Sequence, residues 1–109
     1  MIRLKTLSQI QEEVHRTAVE HGWWDHERTA GEILMLMVTE LAEAMEAYRE
    51  GNPESSCIPG FSQIEEELAD VVIRLLDFAE WAEFDIDGAV GAKMAYNEAR
   101  PYRHGGKIA

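Results

Sequence analysis

Glu40 and Glu43 lie three residues apart in ILMLMVTELAEAMEAY, and Glu67 and Asp70 lie three apart in IEEELADVVIRLLDFA. That spacing puts both carboxylates of a pair on one face of a helix. Each pair is set into an otherwise apolar segment, where a desolvated carboxylate is costly without a cation. Two such helices side by side would gather four hard oxygen donors, the ligand set that Mg²⁺ takes. Four carboxylates in one cleft repel one another, and without a cation some must be protonated. Bound Mg²⁺ removes that conflict, polarises a phosphoryl oxygen and lowers the pKa of a bound water. The chemistry this implies is metal-assisted attack of water on a phosphoanhydride. A spare carboxylate, Glu43 or Asp77, would accept the water's proton. A single pair at this spacing usually marks a solvated helix face. Two pairs, each on the flank of an apolar helix and joined by one loop, favour a site.

Four helices are expected to position these groups. The first runs from about Ser8 to His21, with Thr6 and Ser8 as candidate caps and Gly22 as the stop. The second starts at Thr29, where Thr29 and Glu32 have capping-box spacing, and runs to about Glu50 before Gly51. A loop rich in Gly, Pro and Ser follows, GNPESSCIPGF. The third opens at a second capping box, Ser62 and Glu65, and reaches about Glu83. The fourth starts near Asp87 and ends before Pro101. β-Branched residues are sparse and never alternate with polar ones, so the expected fold class is all-α. On the second helix Leu34, Met37, Leu41, Met45 and Tyr48 form one stripe, read as core. Ile33, Leu36, Ala44 and Ala47 form a second flank that carries Glu40 and Glu43. On the third, Ile64, Leu68, Val71, Leu75, Phe78 and Ala82 are read as core, with Glu67, Asp70, Arg74 and Asp77 along the edge. Arg74 is expected to pair with Asp70 and Asp77 or to touch phosphate.

The bulk composition narrows the partners. The chain has 109 residues, 46 % of them hydrophobic, and a formal net charge of −11. One domain over residues 1–109 is expected, small enough that oligomerisation would widen its stability margin. So acidic a chain is a poor ligand for a nucleic-acid polymer. From Lys93 to the end stand four of its ten basic residues, Lys93, Arg100, Arg103 and Lys107, against the single acid Glu98, a small cationic patch that suits a small anion. Cys57 is the only cysteine, so an intrachain disulfide is impossible. No secretory leader is apparent, and the run from Ile33 to Val38 is too short to span a membrane. A cytoplasmic location is the expectation.

The stretches HGWWDHER, ELAEAMEAYREG, EELADVVIRLLD and KMAYNEARPYRHGGK together resemble the small phage-type and cassette-type MazG-like all-α nucleoside triphosphate pyrophosphohydrolases. That family's pattern, EExxE followed by ExxD, reads here as Thr39-Glu40-Leu41-Ala42-Glu43 and Glu67-Leu68-Ala69-Asp70, with Thr39 replacing the leading Glu. The resemblance implies a four-helix core completed by dimer or tetramer assembly. It also implies Mg²⁺ dependence and release of a nucleoside monophosphate and pyrophosphate, a nucleotide-pool sanitation role. Lys93 and Asn97 match the family's Lys-x-x-x-Asn element, which contacts the triphosphate. Arg100 is one turn further on, and Arg103, His104 and Lys107 follow on a Gly-containing tail over residues 97–109 that would close over phosphates. Trp23 and Trp24 offer flat faces to a nucleobase. Trp24 and His15 fall where deoxycytidine-triphosphate-hydrolysing relatives place a base-contacting Trp and a His. Arg74 departs from those relatives, which carry an aromatic residue there.

Two other classes compete. A di-iron carboxylate bundle needs two Glu-x-x-His motifs, and this chain has one, Glu12-x-x-His15. A non-catalytic helical interaction module would leave both acidic flanks merely solvated.

Overall fold

The structure is a computed structural model that describes residues 5–101. Its elements are four helices: α1 (Leu7–Glu20), α2 (Ala30–Arg49), α3 (Gln63–Trp81) and α4 (Ile86–Glu98). The described residues form no sheet, only an isolated bridge between Glu54 and Ser62. The all-helical expectation holds, with boundaries within one or two residues of those read from the caps.

Local chemistry sets the helix ends. Thr6 caps α1 in a full capping box: its hydroxyl accepts from Gln9 N at 3.1 Å, and Gln9 Oε1 accepts from Thr6 N at 2.8 Å. Ser62 and Glu65 do the same for α3. The box expected at Thr29 is half formed. Thr29 Oγ1 accepts from Glu32 N, but Glu32 Oε1 takes the Thr29 hydroxyl instead of the backbone N–H. After α2 the chain turns sharply at Gly51, where φ is +89°, a conformation that disfavours any Cβ.

The connection from α2 to α3 is built more firmly than its loop-like composition suggests. Asn52 Oδ1 accepts from Ile64 N, and Ser55 N donates to the Phe61 carbonyl at 2.8 Å. Ser55 is buried, and its hydroxyl accepts from Cys57 N and Ile58 N while donating to Glu66. The loop is thereby fastened to the first turn of α3, one residue from Glu67.

Helix packing corrects the core expected on α2. α3 is the central element, packed against α2 most extensively and against α1 next, while α4 packs chiefly on α1. The α2 face turned inward carries Ile33, Glu40, Ala44 and Ala47. Leu34, Leu41, Met45 and Tyr48, read as core, are exposed, Tyr48 at 69 %. On α3 the buried residues are Glu67, Leu76 and Ala79, while Leu68 and Leu75 face outward. Period alone marked two apolar faces on α2. The alanines decide between them, because small side chains let α3 approach closely enough to enclose the acidic flank. Among the described residues the buried hydrophobic set is Ile33, Ala44, Ala47, Leu76 and Ala79. So thin a core leaves many of the larger apolar side chains of α2 and α3 on the outside.

Candidate active site

The inward faces of α2 and α3 bring the acids together. Glu40, Glu67 and Asp70 each offer a carboxylate oxygen, and these oxygens lie within 4.8 Å of one another. Glu40 and Glu67 are buried, at 7 % and 6 % exposure. Glu43 stands outside this trio on the exposed side of α2, next to Glu67, at the rim of a cavity that both residues line.

Glu67 is the focus of the strain. Gln63, one turn earlier on α3, donates Nε2 to Glu67 Oε1 at 2.9 Å. The other oxygen, Oε2, is buried with no hydrogen-bond partner among the described residues, a state that is costly to maintain. Burial raises the Glu67 pKa, and the neighbouring Glu43 and Glu40 carboxyls raise it further against the opposing bond from Gln63, to about 7. Asp70 is raised as well, by burial first and then by the charges of Glu40, Glu67 and Glu66, with Arg74 opposing. An orphaned buried oxygen among three converging carboxylates fits a hard divalent cation, which would take up the lone pair and relieve the repulsion. Glu40, Glu67 and Asp70 are the residues that could hold one.

Arg74 does not make the pairs expected of it. Its Nε donates to Glu40 Oε1 at 2.9 Å, crossing from α3 to α2. The same guanidinium lies 5.7 Å from the centroid of the Trp23 ring, and Arg28 lies at the same distance from that ring. These groups, with Asp70, Asp77, Thr17 and His21, line a cavity of about 270 Å³ between α1 and α3. Asp70 thus belongs both to the carboxylate trio and to the cavity wall.

His15 and Trp24 converge on Asp77. His15 Nδ1 is 2.7 Å from Asp77 Oδ1, and Trp24 Nε1 donates to the two carboxylate oxygens at 2.9 and 3.2 Å. The Trp24 ring also stacks on Trp81, with centroids 5.2 Å apart and planes inclined by 17°. His15, Trp24 and Trp81 border a second cavity of about 520 Å³, and Arg28 lines both. Asp77, one of the two candidate bases, is therefore already engaged by two donors. His15, which a di-iron site would need as a ligand, is likewise committed to Asp77.

Lys93, Asn97 and Arg100, the described members of the cationic set, are not drawn into this centre. Lys93, Asn97 and their neighbours on α4 are exposed, and neither cavity lined by Asp70 or Glu67 includes an α4 residue. Lys93 Nζ and the Arg100 guanidinium instead lie 4.5 Å and 5.4 Å from the Tyr96 ring centroid. Arg103 and Lys107 lie outside the described residues. Sequence reasoning passed over Gln63, Ser55 and Arg28. Gln63 stands one turn before Glu67, a spacing that signals contact on a helix face. Ser55 and Arg28 carry no comparable local signal, since their partners are set by tertiary packing.

The chain is similar to a dATP/dGTP diphosphohydrolase of Salmonella phage PMBT28, 38 % identical over an 86-residue alignment that covers 75 % of this chain and 25 % of the relative. It spans about a quarter of the length of that curated relative. No protein-family model matches the chain. No solved structure matches it.

Proposed function

We propose that the chain is a Mg²⁺-dependent pyrophosphohydrolase of the MazG-like type, cleaving nucleoside or deoxynucleoside triphosphates to monophosphate and pyrophosphate. The observation that carries this reading is the convergence of Glu40, Glu67 and Asp70, with a buried Glu67 Oε2 that has no hydrogen-bond partner among the described residues. A solvated acidic face, as in a plain interaction module, has no reason to bury an unsatisfied oxygen. The similarity to a phage diphosphohydrolase acting on purine deoxynucleotides supports the same class.

In this reading Glu40, Glu67 and Asp70 hold Mg²⁺, which when bound polarises the phosphoanhydride and acidifies a water. Glu43, exposed beside Glu67, is the carboxylate available to take a proton from the attacking water, since Asp77 is occupied by His15 and Trp24. The nucleoside is assigned to the cavity bounded by Trp23, with His15 and Trp24 supporting its Asp77 wall. Lys93, Asn97 and Arg100 remain the proposed grip on the phosphates, together with Arg103 and Lys107. Assembly into a homodimer or homotetramer is part of the proposal, supported by the exposed stripe of Leu34, Leu41, Met45 and Tyr48.

A panel of nucleoside triphosphates, assayed with Mg²⁺ for product identity, tests this. Monophosphate and pyrophosphate in equal amounts are expected from at least one substrate. Diphosphate and inorganic phosphate, or no turnover on any member, would refute it.

A further inference from the structure

We propose that Arg74 is a built-in counter-ion for the metal-free site that is exchanged for the divalent cation and then engages the substrate's phosphates. The inference rests on the triphosphate-hydrolase reading and extends it to a residue given no part there.

Three observations carry it. Arg74 Nε is bonded at 2.9 Å to Oε1 of Glu40, a member of the converging trio. The three α3 side chains Glu67, Asp70 and Arg74 follow one another at spacings of three and four, so they share one helix face. Finally, the guanidinium also faces the Trp23 ring across the cavity that Asp70 lines, so it already borders the space a ligand would fill.

Buried Glu40 needs a cation whether or not metal is present. Arg74 supplies one in the metal-free chain, but it does so by engaging the carboxylate that a divalent cation would claim. A guanidinium and a divalent cation sharing one carboxylate repel each other, so Arg74 must weaken metal binding. Once Glu40 turns to the metal, Arg74 loses its acceptor. Its planar fork of donors then stands beside Asp70 and over Trp23, where an anionic phosphate is the natural replacement. Substrate and metal are thereby coupled: the anion stabilises the displaced Arg74, and each favours binding of the other.

The test uses Arg74→Met, which removes the charge, and Arg74→Lys, which keeps the charge but not the fork. Isothermal titration at pH 8 with Mg²⁺ alone should show roughly tenfold tighter binding to Arg74→Met than to wild type, and wild-type-like binding to Arg74→Lys. With Mg²⁺ saturating, inorganic pyrophosphate should bind about tenfold more weakly to both variants. Equal or weaker Mg²⁺ binding by Arg74→Met overturns the exchange. Should Arg74→Met not fold, pyrophosphate binding to Arg74→Lys as tight as to wild type overturns it equally. If wild type binds Mg²⁺ and hydrolyses triphosphate but the variants match it, only the role of Arg74 fails. If wild type binds no Mg²⁺, the hydrolase reading fails with it.

Discussion

Gln63 Nε2 donates to Glu67 Oε1 at 2.9 Å while Glu67 Oε2 has no hydrogen-bond partner among the described residues, so one turn of α3 holds a carboxylate with one oxygen satisfied and one unpaired. Gln63 thus holds one oxygen and leaves the other free for a cation. Removing the donor in Gln63→Ala leaves both oxygens wanting, which should lift the Glu67 pKa further and weaken Mg²⁺ binding severalfold. Titration calorimetry at pH 7 checks this. Unchanged affinity would mean that Gln63 plays no orienting part.

The raised carboxyls make metal-free stability pH-dependent. Glu67 has an ordinary value of 4.5 and is pushed up to about 7, so between these values the folded state holds a proton that the unfolded chain releases. Stability from this group is fully present below pH 4.5 and is lost as pH rises through about 7. Asp70, also raised, adds in the same direction. Urea midpoints in EDTA should therefore fall from pH 5 to pH 8. In saturating Mg²⁺ the trend should flatten or reverse.

Glu67→Gln should separate stability from function. A neutral amide removes the buried charge, so the metal-free variant at pH 8 is expected to melt at a higher temperature than wild type. Hydrolysis should fall by about a hundredfold or more, since a metal ligand and its charge are lost. A variant both less stable and still active would argue that Glu67 is structural only.

Asp77 joins α1, the Trp23–Trp24 turn and α3 through His15 and Trp24. Asp77→Ala strands two part-buried donors and should cost about 2 kcal/mol, with a change in tryptophan fluorescence as the Trp24 ring loosens against Trp81. An unaltered spectrum and melting curve would show that the hub is dispensable.

The outward α2 stripe should govern assembly. Leu41→Asp places a charge among Leu34, Met45 and Tyr48, and sedimentation velocity should show a shift to a smaller species than wild type. Monomeric wild type at all concentrations would remove oligomerisation from the account.

Helix number, caps and the two acidic flanks were legible in the sequence because they depend on local signals: Ser62 with Glu65, Thr6 with Gln9, acids three residues apart; that the flanks meet follows from the packing of α2 on α3. Which apolar face of α2 turns inward was not legible. Both faces satisfy the helical period, and the outcome rests on the fit of Ala44 and Ala47 against α3 and on Arg74 reaching Glu40 across the interface. Arg74 and Asp77 were placed on the correct edge, but their partners come from α2, α1 and the Trp24 turn, at separations that periodicity does not report. Lys93 and Asn97 were read as close to the site through the family resemblance. In the single chain α4 packs chiefly on α1, and these side chains stay exposed.

The central claim is that Glu40, Glu67 and Asp70 together hold a divalent cation. Thermal melts of wild type and Glu67→Gln across low-millimolar Mg²⁺, each matched in ionic strength with KCl, address it directly. The account predicts that Mg²⁺ raises the wild-type melting temperature beyond the KCl control and leaves Glu67→Gln unmoved. Equal responses of the two proteins, or no response beyond KCl in wild type, would contradict it.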